Sequence, residues 1–501
     1  MEFYQQGPEL QNPLETDPLL SRWWKAPSRQ KASAAVLEHL HRCGQKAVGS
    51  WLEASREAEA LKPELISYDP WGRRVDDIRV SPSWKFLESE AAREGIVATA
   101  YERQWGELSR PYQMSLLYLF HPSSAFVSCP LAMTDGAARV LELLGNAGLK
   151  ARAFRNLTSR DPAIFWTSGQ WMTERTGGSD VSGTTTHAVP TGSVFRLHGT
   201  KWFTSATTSQ MSLLLARTDD SASLSLFYVE LRDEHGRLNQ IEVHRLKDKL
   251  GTWALPTAEL SLKGTPGIRV GEPGQGVKNI STLLNITRIY NSVCATAQMR
   301  RGLDLLQSYS QARVAFGKKL KDLPLHAHTL QDLEATWRRA FVFTFRLVEL
   351  LGKEECGTLS ASEKIELRLL TPILKLWTAK ESVRVASEVC EGFGGAGYIE
   401  DTGVPRLLRD AQVFSIWEGT TNVLALDFLR ALRKESGAQE WFQAKCQEFS
   451  KLSGDLNVAF HQGRLQHILK AAAKDPEQLE VHARDLALSV GFLFSCSLEP
   501  S

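Results

Sequence analysis

No apolar run in this 501-residue chain reaches the roughly 18 residues that a membrane-spanning helix requires, so membrane insertion is not expected. Cysteines are few, seven in all, scattered from Cys43 to Cys496 and never spaced CxxC. That argues against a disulfide framework and against a zinc cluster, and it fits a reducing compartment with no bound metal. An excess of one charge is lacking too: 59 Lys and Arg stand against 57 Asp and Glu. Nothing global therefore draws the chain to nucleic acid or anionic lipid, and such a partner would need a local patch. The opening MEFYQQGPELQNPLETDPLL has neither the apolar core of a secretion signal nor the Arg-rich amphipathic helix of a presequence. The closing LEPS is no peroxisomal address. A cytoplasmic protein is the expectation, with mitochondrion and nucleus as alternatives.

What is present is enough apolar material, 43% of residues, to build several cores, and the length exceeds one. Three textures follow one another. Residues 1–164 are mostly helical in pattern, with Val36, Leu40, Ala47 and Trp51 at helical spacing. Residues 165–273 break into short alternating runs, among them SVFRLHGTKWFTS, MSLLLART and LSLFYVEL, separated by Gly, Asp, Ser and Pro, which predicts an antiparallel β-domain. Residues 274–436 open on a proline-free stretch from 274 to 323 whose apolar positions mark one long helix, and further helices are expected near 329–351, 363–391 and 404–434. A helical extension, residues 437–501, completes the chain.

The stretch QWMTERTGGSDVSGTTTHA, residues 170–188, carries paired glycines, hydroxyls and almost no apolar filler. It matches neither GxGxxG nor GxxxxGK[ST]. Its small residues could bring main-chain N–H groups against a flat polar ligand, and a plain β-turn with Asp180 bonding locally explains it equally well. What decides is order. MTERTGGSDV is followed by KWFTS (201–205), Thr287–Arg288, RVAFGK (313–318), EGFGGAGY (391–398) and IWEGTTN (416–422), and this series resembles the acyl-CoA dehydrogenase flavoproteins over residues 165–433. The resemblance implies a helical N-terminal domain, a central antiparallel β-domain and a C-terminal four-helix bundle, here with a helical tail. Residues 64–84 and 245–260 resemble the AidB-type alkylation-response branch of that family.

The chemistry so implied removes an α-proton and a β-hydride from an acyl thioester. Glu418, in IWEGTT, matches the family's catalytic base, and Ile416 and Trp417 would desolvate it and raise its pKa. Its alternative is an ordinary surface or cap glutamate. Arg288 matches a substrate-side arginine whose charge favours ionised Glu418; otherwise it is a helix arginine paired elsewhere. Asn285 stands where the family has a substrate-contacting aspartate, which puts standard CoA binding in question. For FAD, the resemblance implies contacts from Met172, Thr173, Gly178 and Ser179, the last near pyrophosphate or CoA, and from Trp202, Phe203 and Thr204 about the isoalloxazine. Arg313 and Phe316 would meet the adenine end in a neighbouring subunit, with Gly394 and Gly395 allowing close approach and Thr420 and Asn422 completing the set. Core packing for Trp202 and Phe316, and C-capping for the glycines, are the bland alternatives. A homodimer or homotetramer follows from the shared site. Ala315, Ala327 and Glu391 depart from residues common in the family.

The AidB-type branch is associated with DNA, but residues 440–501 carry six basic against eight acidic side chains, a net of −2, where phosphate binding calls for the reverse. This tail also looks short for the branch, and its LALSVGFLFSC stripe suggests helix packing or an oligomer contact. Two functions stay open: an FAD-dependent acyl-CoA dehydrogenase, or a flavoprotein that chiefly binds an acyl ligand or protects DNA.

Overall fold

The structure is a computed structural model that describes residues 5–454 and 456–499. Helices occupy the N-terminal third, strands the middle and helices the remainder, the order expected. By contacts the chain forms two compact units, one of Met1–Val48, Arg103–Pro122 and Arg288–Ser501, the other of Gly49–Glu102 and Ser123–Thr287.

The second unit holds nine of the strands. Two form a hairpin, β1 (Glu64–Tyr68) and β2 (Arg74–Arg79), inside the stretch read from sequence only as a branch signature. Asp69 closes its turn by accepting from the Trp71 and Arg73 N–H groups, and Gly72 supplies the left-handed residue at φ +81°, the arrangement Asx-turns favour. The other seven are β3 (Ser168–Trp171), β4 (His187–Thr191), β5 (Val194–Ser205), β6 (Met211–Thr218), β7 (Ser221–Glu230), β8 (Ile241–Leu246) and β9 (Thr257–Arg269). Their pairings run β6–β4–β5–β9–β7 and return from β7 to β6, with β3 added beside β6 and β8 beside β9. The ring closes around Trp171, Leu197, Leu214, Phe227, Val229 and Leu260, all buried. Most pairs are antiparallel as expected, but β3 runs parallel to β6, as does the single β4–β6 pair. Four residues of β3, three of them buried, show too little alternation to reveal a direction.

The hairpin is tied to the ring through one buried carboxylate. Asp76 Oδ2 accepts from Arg74 Nε at 2.8 Å and from the Val243 N–H on β8 at 2.9 Å. A second core of this unit packs Ala137, Val140, Leu141 and Leu157 against Leu213, Leu215, Leu226 and Leu283.

In the first unit the proline-free run becomes one 37-residue helix, Gly276–Ala312, whose first turns belong to the other unit. Two more long helices follow. Pro324–Cys356 starts with proline at its first turn and stops at Gly357, φ +73°; Ala361–Gly392 starts in a capping box, Ser360 with Glu363. These are standard start and stop signals. The stretch expected as one helix over 404–434 is two, Val404–Phe414 and Thr421–Lys434. Glu418 and Gly419 both lie in the left-handed region, at φ +56° and +106°, and an α-helix cannot pass through such residues.

The tail helices Ala438–Phe449, Leu456–Lys474 and Ala483–Ser497 are built into this unit. The apolar stripe of the last one is buried: Gly491 lies against Trp377, where an added Cβ would come within 3.0 Å of its side chain, and Phe494 meets Phe343 with ring centroids 4.9 Å apart. Leu493 is fully buried. Leu493→Ala is therefore expected to lower stability by about 2–5 kcal/mol, read as a lower denaturant midpoint; an unchanged midpoint would show that the tail adds nothing to the bundle.

Candidate functional site

The expected site residues divide between the two units. Met172, Thr173, Gly178, Ser179, Trp202, Phe203, Thr204 and Asn285 belong to the second; Arg288, Arg313, Phe316, Gly394, Gly395, Glu418, Thr420 and Asn422 belong to the first.

In the second unit the glycine loop leaves β3 and folds back at once. Glu174 and Gly177 exchange main-chain hydrogen bonds of 3.1 and 3.2 Å, and a Cβ on Gly178 would lie 2.8 Å from Thr173 Oγ1, so only glycine allows this closeness. Asp180 Oδ1 accepts from the Ser182 N–H at 2.8 Å, the local turn bond that the bland reading anticipated. Beneath the loop, Lys201 donates to Glu174 Oε1 at 2.8 Å and to the Leu215 carbonyl at 3.2 Å. Glu174 also accepts from the N–H and hydroxyl groups of Thr185 and Thr186. Burial pushes the Glu174 carboxyl up, but the Lys201 charge and these bonds prevail and hold it at about 2. The pair is thus ionised and bonded from both sides, a rigid base for the strand that follows.

On that strand the Trp202 N–H donates to the Thr173 carbonyl at 2.9 Å. The β5–β9 register slips between Lys201 and Thr204, so Trp202 and Phe203 sit in a bulge, the device that re-aims side chains beside functional sites. Lys247 Nζ stands 3.7 Å from the Trp202 ring centroid and 4.5 Å from that of Phe203, and Phe203 is half exposed. The Thr204 hydroxyl is buried and donates to the Ala258 carbonyl at 2.8 Å.

In the first unit Arg313, Gly394 and Gly395 come together. With Tyr309, Glu391 and Thr402 they line a cavity of about 660 Å³. Gly394 is left-handed at φ +61°, and the space where either glycine would carry a Cβ is open. Beside it, β10 (Val314–Ala315) and β11 (Lys318–Lys319) form a minute hairpin whose tip holds Phe316 and Gly317, both left-handed. Phe316 is 95% exposed there, so core packing does not explain it. Asn422 is exposed and accepts from Arg484 of the tail at 3.4 Å. Thr420 is exposed and precedes the Thr421–Lys434 helix without a side-chain capping bond.

Around Glu418 the break between helices is held from three sides. Trp417 Nε1 donates to Asn291 Oδ1, and Asn291 Nδ2 donates to the Phe414 carbonyl at 3.3 Å. Arg288 Nε reaches the Glu418 carbonyl at 3.4 Å while its NH1 pairs with Asp427 Oδ2 at 2.8 Å. Lys375 Nζ donates to the Gly419 carbonyl at 2.6 Å. Asp427 also takes Arg368 at 3.0 Å and Arg430 at 2.6 Å. Lys375, Asn291 and Asp427 were not read from the sequence. A lysine inside the apolar TPILKLWTA was the one available signal for the first; for the other two, on helix faces far apart in sequence, there was none.

A left-handed glutamate with anchored carbonyls and a glycine-lined cavity, set in a helical, β, helical order, agree with the dehydrogenase class that the motif series resembles. Family comparison agrees. Residues 6–161 match the adaptive response protein AidB N-terminal domain, 169–265 the acyl-CoA dehydrogenase middle domain and 274–432 the acyl-CoA dehydrogenase C-terminal domain. Acyl-CoA dehydrogenase family member 11 of Caenorhabditis elegans is 43% identical over 97% of this chain and 81% of its own length. Among solved structures, Bd2924 in its apo form is 56% identical with a TM-score of 0.92, covering 99% of each chain. Caenorhabditis elegans ACDH-11 in complex with C11-CoA is 40% identical with a TM-score of 0.93, over 99% of this chain and 88% of its own. This chain belongs to the acyl-CoA dehydrogenase family, whose members are FAD-dependent oxidoreductases in general, with an AidB-like N-terminal domain. Among the described residues no helix is long and apolar enough to cross a membrane.

Burial pushes the Asp427 carboxyl up, but the charges of Arg288 and Arg368 and the hydrogen bonds from Arg430 and Arg368 outweigh it and hold the group at about 2. Because the folded value lies below the ordinary 3.8, the stability it supplies is complete above pH ~4 and lost as pH falls through ~2, about 2 kcal/mol in all. Between pH 5 and pH 2, wild type should lose that much more unfolding free energy in urea than Asp427→Asn does; equal losses would remove Asp427 from the network.

Proposed function

We propose that this chain oxidises an acyl-CoA thioester at its Cα–Cβ bond using FAD, with Glu418 as the base. The observation that carries the reading is the helix break at Glu418, where a non-glycine residue is kept left-handed with its own carbonyl and the next one anchored. Such strain in the main chain persists where the surroundings over-determine it, commonly at catalytic positions.

The residues fit a flavin nucleotide. The bulge at Trp202–Phe203 supplies two aromatic faces unregistered in the sheet, Gly178 draws its loop onto Thr173, and the open space over Gly394 and Gly395 beside Arg313 accepts a bulky charged group without a Cβ in the way. Met172, Thr173, Ser179, Trp202, Phe203 and Thr204 would hold the ring and its neighbouring phosphates, and Arg313, Gly394, Gly395, Thr420 and Asn422 the remainder. Since the Thr204 hydroxyl is engaged by Ala258, that residue would offer its main-chain N–H or exchange partners on binding. Bound FAD supplies the acceptor for the β-hydride. Glu418, ionised, takes the α-proton and becomes a neutral carboxylic acid, and its main-chain N–H would donate to the thioester oxygen as charge gathers there.

An acyl-CoA substrate is supported by ACDH-11, a relative whose structure holds C11-CoA. Asn285 in place of an acidic residue would leave the CoA arm one charge contact poorer. Phe316, nearly bare at the tip of its hairpin, supports a homodimer or homotetramer in which it meets the flavin of a neighbouring copy. A DNA role gains no support from the tail, whose net charge is −2 over residues 440–501 and whose apolar stripe is spent on the bundle.

The test is anaerobic. Flavin absorbance of the purified protein should bleach on adding acyl-CoAs of graded length, and Glu418→Gln should slow that bleaching by roughly 10²–10⁴-fold while keeping its flavin. A flavin that no acyl-CoA reduces would leave ligand binding without dehydrogenation as the function; a protein that neither carries nor rebinds flavin would overturn the reading altogether.

A further inference from the structure

We infer that Lys375 is a positioning residue for proton abstraction, holding the Glu418–Gly419 backbone by its Nζ and placing a positive charge within electrostatic reach of Glu418. The inference rests on Glu418 being the base. Three observations converge on it. Lys375 is fully buried, on a stretch of helix whose residues Leu374, Leu376 and Trp377 are themselves at most 2% exposed. An ammonium has three N–H donors, yet its one hydrogen-bond partner among the described residues is the Gly419 carbonyl, at 2.6 Å. That carbonyl belongs to the residue following Glu418, inside the break between the Val404–Phe414 and Thr421–Lys434 helices.

The charges that act on Lys375 come from different elements. Glu418, in the break, favours the charged amine; Arg288, on the Gly276–Ala312 helix, opposes it; burial, the largest influence, also opposes it, and the group comes down to about 7. Asp427 on the Thr421–Lys434 helix, together with Arg368 on the lysine's own helix, forms the cluster that pairs with Arg288. Lys375 is therefore the positive group near the base that lacks a carboxylate hydrogen-bonded to it. Below neutral pH it is charged and favours ionised Glu418; above, it is neutral, still able to donate to Gly419 but no longer attracting the carboxylate. Once Glu418 has taken the α-proton, the attraction disappears and the amine becomes more acidic, which couples the two groups through the turnover.

Two measurements test this, one without catalysis. In the first, the acid limb of flavin reduction by an acyl-CoA should move up by about one to three pH units in Lys375→Met, and Lys375→Arg, which keeps a positive donor, should restore it toward wild type. An unmoved limb in a Lys375→Met protein that retains flavin would overturn the inference. In the second, unfolding is followed against pH. A lysine whose folded value lies below the ordinary 10.5 makes the folded state bind fewer protons, so stability rises with pH between about 7 and 10 by up to one extra proton relative to Lys375→Arg. Glu418→Gln, which removes the attraction, should extend that rise to lower pH; if its lower edge stays in place, Lys375 does not face Glu418 and the inference fails. If Glu418→Gln leaves flavin reduction unimpaired while the edge does move, it is the reading of Glu418 as base that has failed.

Discussion

Everything at the base depends on a two-residue violation of helix geometry. Glu418 and Gly419 turn left-handed between two helices, and the polypeptide tolerates this because its freed carbonyls are claimed by Arg288 and Lys375. The balance of energies is informative. A non-glycine residue at positive φ costs on the order of 1 kcal/mol, which one buried hydrogen bond of comparable worth offsets. Keeping a lysine at about 7 rather than 10.5 costs about 5 kcal/mol. One carbonyl contact does not compensate for that, so folding stability alone would favour an apolar side chain at position 375. A charge needed beside Glu418 is the account of Lys375 that we favour.

The other buried lysine makes the contrast plain. Lys201 has a carboxylate at 2.8 Å and a carbonyl at 3.2 Å, and its partner Glu174 is in turn satisfied by two threonines through both main chain and side chain. That network gives the positive charge a bonded carboxylate. It stiffens the loop and the start of the bulge at Trp202–Phe203 without leaving a charge to act elsewhere. Lys375 is built in the opposite way, bonded to a carbonyl and to no carboxylate among the described residues. A bonded ion pair gives rigidity; a buried cation without a bonded carboxylate leaves electrostatic influence for a neighbour.

Much of this was legible in the chain because the family's motifs are local: MTERTGGSDV, KWFTS and IWEGTTN each name a short segment, and alternation or helical spacing assigned its surroundings. What escaped depended on long-range partners. The helix expected across 404–434 kept its apolar spacing through Ile416 and Trp417, so a single Gly419 was a weak sign of a break whose cause lies on two other helices. The hairpin at β1 and β2 is short and half-exposed, held to the ring by the buried Asp76 carboxylate, a bond between residues 167 positions apart. The parallel course of β3 beside β6 is likewise invisible to a two-residue period. Lys375 could have been suspected as a charge inside TPILKLWTA, but not what it touches.

Arg288 shows how such a contact redistributes roles. From its motif it was expected to supply the positive charge that favours an ionised base. In the structure its strong bond is to Asp427, at 2.8 Å, and its Nε reaches the main-chain carbonyl of Glu418 at 3.4 Å. Asp427 is shared with Arg368 and Arg430, so one carboxylate gathers three guanidinium groups and the charge of Arg288 is directly paired, although the cluster as a whole stays positive. The arginine then acts as a strut that orients the break. The lysine on the Ala361–Gly392 helix, buried and bonded to a carbonyl alone, has no carboxylate bonded to it, and in a low-dielectric interior its charge is weakly screened. On this geometry Arg288 shapes the turn through Asp427 and the Glu418 carbonyl, and Lys375, as inferred above, adds its charge to the electrostatics of the glutamate that the turn carries.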